Sequence, residues 1–355
     1  KSLTCGILET IQLRDEGGES VAVTIKDVAR RAGVSVGTVS NVLNGTVTVR
    51  PATREQVLRA IAELDYHPTA AARSLKRQRT NTIGMIRALE GEQRAAFEAS
   101  DYVFLEFLAG IGDEAAAHGV GILLLASRSA QEERAFYQQL VRSRQVDGLI
   151  LLGTRLYDER IAYLVKQKVP FVTFGRSATA EGFAYVDVDG RQGIMDAVAH
   201  LVELGHRRIG CIEASAALTC THDRREGFLA ALAAHELPKD EALICPGDFT
   251  RESGYENMLR LLDLSDPPTA VLAPNDLAAF GAIQAAQSRG LVVGQDVSVV
   301  GFDDIPLAAH WQPPLTTIHQ PTRQIGALAC RMLLTLVAGK ELEEPHVIFH
   351  PQLRV

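Results

Sequence analysis

From Thr24 to Leu64 the apolar positions follow a helical period. Ile25, Val28, Ala29 and Ala32 form one stripe. Thr24 and Asp27 stand at capping-box spacing, with Asp in the place of the usual Glu or Gln. Gly33 follows where a left-handed residue ends a helix without steric cost. Ser35 is a natural N-cap for a second helix that turns Val39, Val42 and Leu43 inward and ends at Asn44-Gly45. Pro51 opens a third helix running to about Leu64, with Val57, Ile61 and Leu64 inward. Two short helices joined by a Gly-containing turn make a helix-turn-helix.

From Thr82 the pattern changes. Strand-like apolar runs fall at Thr82–Ile86, Val120–Ala126, Gly148–Leu152, Phe171–Phe174, Arg208–Glu213, Ala242–Cys245, Ala270–Leu272 and Val297–Gly301. Amphipathic stretches such as Val103–His118, Glu132–Ser143 and Arg191–Leu204 lie between them. This alternation predicts an α/β fold, parallel sheets with helices on both faces. The stretch is too long for one such core and fits two lobes. Ligands of open α/β sheets bind beyond the carboxyl ends of the strands, so a crevice between facing lobes is the expected site.

The helix-turn-helix brings a partner with it. Its second helix enters the major groove of double-stranded DNA, N-terminal residues first. Here those are Val36, Gly37 and, a turn on, Asn41. Val reaches a thymine methyl, Asn pairs bidentately with adenine, and Gly only permits close approach. Ser35, Thr38, Ser40, Asn44, Arg50 and Thr53 surround that helix as small donors and a cation, suited to phosphates. Charge changes the picture in the same direction. Residues 24–80 hold ten Lys or Arg and four Asp or Glu, a balance of +6 in a chain of −7, which leaves −13 for the remainder. A basic module on an acidic body has the asymmetry of a nucleic-acid binder.

Thr69–Leu75 is short and Ala-rich. A helix of that length is unstable alone in water and folds only when a partner supplies contacts. Leu75 reads equally as an apolar wedge for a DNA groove or as a core leucine in an interdomain linker.

The pattern TIKDVARRAGVSVGTVSNVLNG, then Tyr66-His67-Pro68 and Ala71-Ala72-Arg73-Ser74-Leu75-Lys76, resembles the LacI/GalR family of bacterial transcription regulators. The resemblance implies that 69–76 is a hinge helix, that Leu75 wedges into the minor groove, and that Arg73 and Lys76 lie near phosphates or the groove edge. Val146–Ile150, His206–Ile209, Arg224–Phe228, Asn275-Asp276, Gly301–Asp304 and Pro314–Ile318 are similar to the periplasmic-binding-protein-like effector domain of that family. It implies three crossings between lobes, placed near Asp187, Ile318 and Lys340. The expected organisation is a flexible extension 1–23, the DNA-binding domain 24–68, a hinge and linker 69–81, an N-terminal lobe 82–188 plus 319–340, and a C-terminal lobe 189–318 plus 341–355.

By position the resemblance assigns effector contacts to Arg224, Asn275 and Asp303, an aromatic face to Phe249, and the start of the first lobe helix to Asp101 and Phe104. Taken from the residues alone, Asn275 reads as a helix N-cap and Asp303-Asp304 as a turn after a strand. The sequence departs from the family at Ala88–Ala99, a longer link than usual, and at Gly175, where many members carry an acid and where Arg176-Ser177 follow. Arg176, beside that position, is a candidate effector contact, and a cation there also suits a phosphorylated or acidic sugar.

The five cysteines, at 5, 211, 220, 245 and 330, lack metal-ligand spacing and suit a reduced cytoplasmic protein. No run of about 18 apolar residues predicts a membrane span, the first 23 residues lack a signal-peptide pattern, and no P-loop, Gly-x-Ser-x-Gly or His-Glu-x-x-His motif points to an enzyme, a cofactor or a metal. No heptad tail follows the last strand, which favours a homodimer. The expected function is a repressor of sugar-utilisation genes, bound to a pseudo-palindromic operator and controlled by a small effector, a carbohydrate. The alternatives are a solute-binding protein, or a regulator answering to a nucleobase or a phosphorylated sugar.

Overall fold

The computed structural model describes residues 23–44, 48–66, 79–88, 101–179 and 181–355. The chain forms two units, Lys1–Gln78 and Arg79–Val355.

In the first unit, α1 (Ile25–Ala32), α2 (Val36–Asn44) and α3 (Pro51–Glu63) enclose Val28, Val39, Val42, Val57, Ala60 and Tyr66. Their ends are fixed by local chemistry. The Asp27 carboxylate accepts from the Thr24 N–H at 3.0 Å and the Thr24 hydroxyl at 2.6 Å. Those hydrogen bonds, with Arg30 nearby, hold Asp27 below the usual carboxylate range. Gly33 takes φ 62°, and Ser35 Oγ accepts from the Thr38 N–H at 3.1 Å. Tyr66, whose side chain closes this core, was not among the residues expected inside.

The second unit holds two parallel sheets. Strands β1 (Thr82–Ala88), β2 (Gly121–Ser127), β3 (Gly148–Leu151), β4 (Phe171–Phe174), β5 (Ala184–Val188) and β11 (His346–Phe349) form one in the order β11-β5-β4-β3-β1-β2. Strands β6 (Ile209–Ile212), β7 (Ile244–Cys245), β8 (Ala270–Leu272) and β9 (Ser298–Val300) form the other in the order β7-β6-β8-β9. β10 (Thr317–His319) and β12 (Gln352–Arg354) pair antiparallel. Central strands such as β3, buried at all four positions, read as continuous apolar runs because helices cover both faces.

The first lobe carries α4 (Asp101–Ala117), α5 (Ala130–Ser143), α6 (Glu159–Gln167) and α11 (Thr322–Val337); the second carries α7 (Gly190–Glu203), α8 (Thr219–Ala234), α9 (Arg251–Leu262) and α10 (Asp276–Ser288). Two helix pairs cross at glycines from both partners. A Cβ on Gly110 would overlap the Arg323 carbonyl and one on Gly326 the Phe107 carbonyl; Gly254 and Gly281 stand likewise against Ala278 and Arg251.

The chain passes between sheets after Val188, between His319 and Thr322, and between Phe349 and Gln352. The last differs from the expected crossing near Lys340. Residues 340–344 are charge-rich and read as a linker, but His346–Phe349 pair with β5 as an edge strand, His346 stacking on Tyr185 at 4.4 Å. Residues 341–349 therefore stay with the first lobe.

Candidate functional sites: a helix-turn-helix face and an interlobe cleft

Val36, Gly37, Ser40 and Asn41 lie on one side of α2, at spacings that bring them together on a helix surface. Val36 is 41 % exposed, although it is apolar. A Cβ on Gly37 would meet only Ser35 Oγ, at 3.6 Å. Packing therefore does not require glycine there, and a helical glycine costs about 1 kcal/mol relative to Ala. Thr38 and Ser35 share a hydroxyl contact at 2.9 Å. Arg50 is exposed just before α3, and Thr53 is half-buried in its first turn. Arg73, Leu75 and Lys76 lie outside the described residues, as do 89–100 and the side chains of Asn44 and Asp101.

The cleft between the lobes encloses a cavity of about 390 Å³. Phe104, Arg224, Phe249, Asn275 and Asp303 all line it. α4 brings Phe104 from the first lobe, where the Arg87 guanidinium lies over its ring at 4.9 Å. α8 brings Arg224, whose guanidinium stacks on Phe302 at 3.5 Å and donates to the Pro274 carbonyl. This fixes a flat donor group against an aromatic wall.

Asn275 is first a framework residue. Its Oδ1 accepts from the Ala278 N–H at 2.9 Å, capping α10, and its Nδ2 donates to the Phe249 carbonyl at 3.1 Å. One amide hydrogen and one lone pair remain for a ligand. Asp303 and Asp304 have φ 118° and 59°, a region costly for residues other than glycine. The Asp303 N–H donates to the Ile318 carbonyl at 2.8 Å, and Gln320 Nε2 donates to its carboxylate at 2.6 Å. Behind it Asp276, fully buried, accepts from the Ile305 N–H at 2.8 Å and from the Thr317 hydroxyl. Burial pushes Asp276 up to about 7, against the pull of its hydrogen bonds. Burial and the neighbouring Asp276 push Asp303 well above the ordinary carboxyl range, Arg224 and Gln320 opposing.

Arg176 does not stand among the cavity-lining side chains. Its Nε donates to Asp187 Oδ2 at 2.8 Å, and its Nη2 reaches Asp223 Oδ2 at 2.5 Å. Burial raises both carboxyls, with Arg176 acting the other way. The sequence offered Arg176 as an open cation because nothing local marks Asp187, in β5, or Asp223, in α8, as its partners.

The cleft also contains charged residues that the sequence did not single out. Glu133, Arg155 and Arg160 line the first-lobe wall. Arg160 Nη1 donates to Glu133 Oε1 at 2.7 Å and Nη2 to Asp158 Oδ2 at 2.6 Å, with further donation to the Leu152 and Gly153 carbonyls. Arg155 Nη2 donates to Glu133 Oε2 at 3.0 Å. Burial would raise the Asp158 carboxyl, but Arg160 and two backbone N–H groups bring it below its ordinary value. The Asp158–Arg160 pair was within reach of the sequence, because Asp158 caps α6 and Arg160 is two residues on. Glu133, in α5, has no such signal. Among the described residues no group of three or more His, Cys, Asp or Glu is arranged for a metal, and no helix is long and apolar enough to cross a membrane.

A helix-turn-helix unit and a two-lobed α/β unit with a cleft between its lobes are the architecture of a DNA-binding regulator. Residues 24–69 match the model of bacterial regulatory proteins of the lacI family, and residues 198–355 that of the periplasmic binding protein-like domain. The transcriptional regulator CelR of Thermobifida fusca is 36 % identical over 334 residues, covering 94 % of this chain and 97 % of its own. A solved CelR–cellobiose complex superimposes with TM-score 0.72 at 35 % identity, covering 94 % of this chain and 98 % of that one. The Lac repressor dimer bound to operator and an anti-inducer superimposes with TM-score 0.81 at 28 % identity, with the same coverage. The chain belongs to the LacI family of bacterial transcriptional regulators. It is a regulator with a helix-turn-helix DNA-binding domain, and its relatives are not enzymes.

Proposed function

We propose that the protein is a repressor that binds a pseudo-palindromic operator as a homodimer and answers to a small carbohydrate held between the lobes. The observation that carries this reading is the cleft itself. It offers the Arg224 guanidinium on Phe302, the remaining Asn275 amide, the Asp303 carboxyl and the rings of Phe104 and Phe249 around one cavity. Planar donors and acceptors against aromatic walls are what sugar hydroxyls and ring faces require. A structural neighbour is a cellobiose complex, which supports a carbohydrate of that class.

On the DNA, Val36, Gly37 and Asn41 read bases, while Ser35, Thr38, Ser40, Asn44, Arg50 and Thr53 hold phosphates. Leu75 enters the minor groove with Arg73 and Lys76 beside it. Effector binding changes the relative orientation of the lobes and thereby whether two hinge segments can pair. A ligand shifts that equilibrium only by its differential affinity for the two states. Such a protein works where the DNA is, in the cytoplasm. The engagement of Arg176 by Asp187 and Asp223 counts against the phosphorylated-sugar reading, because it neutralises the cation on which that reading rested.

The test is thermal shift of the full chain against mono- and disaccharides, phosphorylated sugars and nucleobases, followed by operator titration with any stabiliser. A saturable shift with a neutral sugar that also alters operator affinity is expected. A shift with nucleobases alone overturns the carbohydrate assignment. Asn41→Ala costs about 1–3 kcal/mol per site and relaxes preference at one symmetric operator position; a loss uniform across sequences makes it a phosphate contact. Leu75→Ala weakens operator binding and spares effector affinity, and unchanged operator affinity removes the wedge.

A further inference from the structure

The lobes touch along one side of the cleft through an unusual set of bonds. Residues 154–156, which follow β3 in the first lobe, lie antiparallel to residues 217–219, which lead into α8 in the second. The Leu156 N–H donates to the Ala217 carbonyl at 3.1 Å, and the Thr219 N–H to the Thr154 carbonyl at 3.0 Å. The first strand of this small ladder is held from below. Arg160 binds the Leu152 and Gly153 carbonyls, and the Arg155 N–H donates to Asp158 Oδ2 at 3.1 Å.

Beside the ladder stands the second connection. Arg176 follows β4 in the first lobe, and its guanidinium joins Asp187 of its own lobe to Asp223 of the other. The two carboxylates are not equivalent. Asp187 is buried and also accepts from the Val188 N–H at 2.8 Å. Asp223 is half-buried and projects from the second turn of α8. When the lobes part, Arg176 keeps Asp187 and only Asp223 passes into water. Neither state leaves a buried unpaired charge, so the contact breaks and re-forms without the penalty that isolates most buried ion pairs.

We propose that Arg176–Asp223, with the 154–156/217–219 ladder, is a latch that holds the two lobes together along this side of the cleft. Arg176 is then a positioning residue that acts through the lobes and not an effector contact. A protein whose binding-competent state is only fractionally populated binds more weakly by that fraction. The strength of the latch therefore scales effector affinity and sets how far the unliganded lobes favour one orientation. This role rests on the cleft being the effector site, but the latch itself can be tested with no effector present. Failure of the latch leaves the effector reading intact, and failure of that reading leaves the latch intact.

The experiment is amide hydrogen exchange on the full chain, comparing wild type, Asp223→Asn and Asp223→Glu at low and high salt. The amides of Leu156 and Thr219 are the reporters, because their acceptors lie across the cleft. Asp223→Asn should speed their exchange about tenfold, while Asp223→Glu, which keeps the charge, should recover most of the protection. Amides within α9 and α10 should not change. In wild type, raising salt should speed the two reporters, and in Asp223→Asn it should not. Unchanged exchange at Leu156 and Thr219 in Asp223→Asn overturns the proposal. So does a loosening spread evenly over the second lobe, which marks Asp223 as merely structural. If Asp223→Asn does not fold, the wild-type salt series decides: reporters indifferent to salt reject the latch.

Discussion

Two buried acidic clusters face the same cleft and solve the same problem in opposite ways. On the first-lobe wall, Glu133 and Asp158 are matched by Arg160, with Arg155 at the rim. On the second-lobe wall, Asp276 and Asp303 sit near each other, with hydrogen-bond donors but no ion pair of their own among those described; Arg224 acts on Asp303 only through space. Taking a carboxylate out of water must be offset by a cation or avoided by keeping the proton. The first wall takes the cation; the second has none among the described ion pairs, and burial shifts its carboxyls towards the protonated form. The difference fixes how each wall answers to pH. Asp158 is lowered, so its contribution to stability is present above the unfolded value and is lost as pH falls below about 4. Asp276 is raised, so its contribution is full below the unfolded value and is lost as pH rises towards about 7.

The largest expected effect comes from removing the cation of the first wall. Arg160→Met leaves Glu133 and Asp158 buried without their main partner and should cost about 3–5 kcal/mol by urea denaturation at neutral pH. The deficit should shrink as pH falls towards 4, because the stranded acids then bind protons. A deficit independent of pH breaks the comparison. Asp276→Asn should have a smaller effect of a different kind. Asn accepts the Ile305 N–H and can donate to the Thr317 hydroxyl, so the fold is kept. The fall in wild-type stability between about pH 4 and 7 should flatten in the variant. If wild type and variant have parallel pH profiles, the second wall does not hold its proton there. Arg155→Ala is the smallest change. Its guanidinium is partly exposed and Glu133 keeps Arg160, so a loss of about 1 kcal/mol or less is expected. A loss equal to that of Arg160→Met would mean that the rim and buried arginines share the work.

The DNA-binding unit was legible almost residue by residue. Its helix ends depend on Thr24, Asp27, Gly33, Ser35 and Pro51, each acting within four residues of itself. The alternating strands and helices of the larger unit were legible for a similar reason, since burial on both faces imposes apolar runs. β5 and β11 were not anticipated. One carries Tyr185 and Asp187 among its apolar residues, and the other alternates exposed and half-buried positions at a sheet edge. Of the cleft, Arg224, Phe249, Asn275 and Asp303 were assigned by resemblance, and the cavity gathers all four. Arg176 was offered where the chain departs from the family, and the fold gives it two carboxylate partners at separations of 11 and 47 residues.

The sequence by itself determined most of the element types, the DNA-binding head and the two-lobed class, because caps, breakers and periodicity act over a few residues. Only the tertiary structure decided which charges meet. Glu133 with Arg160, Arg176 with Asp223 and Asp276 beside Asp303 are all brought together by strand order and helix crossing. A side chain's partner, and hence its protonation and its role, depends on distances in space, which local sequence does not encode.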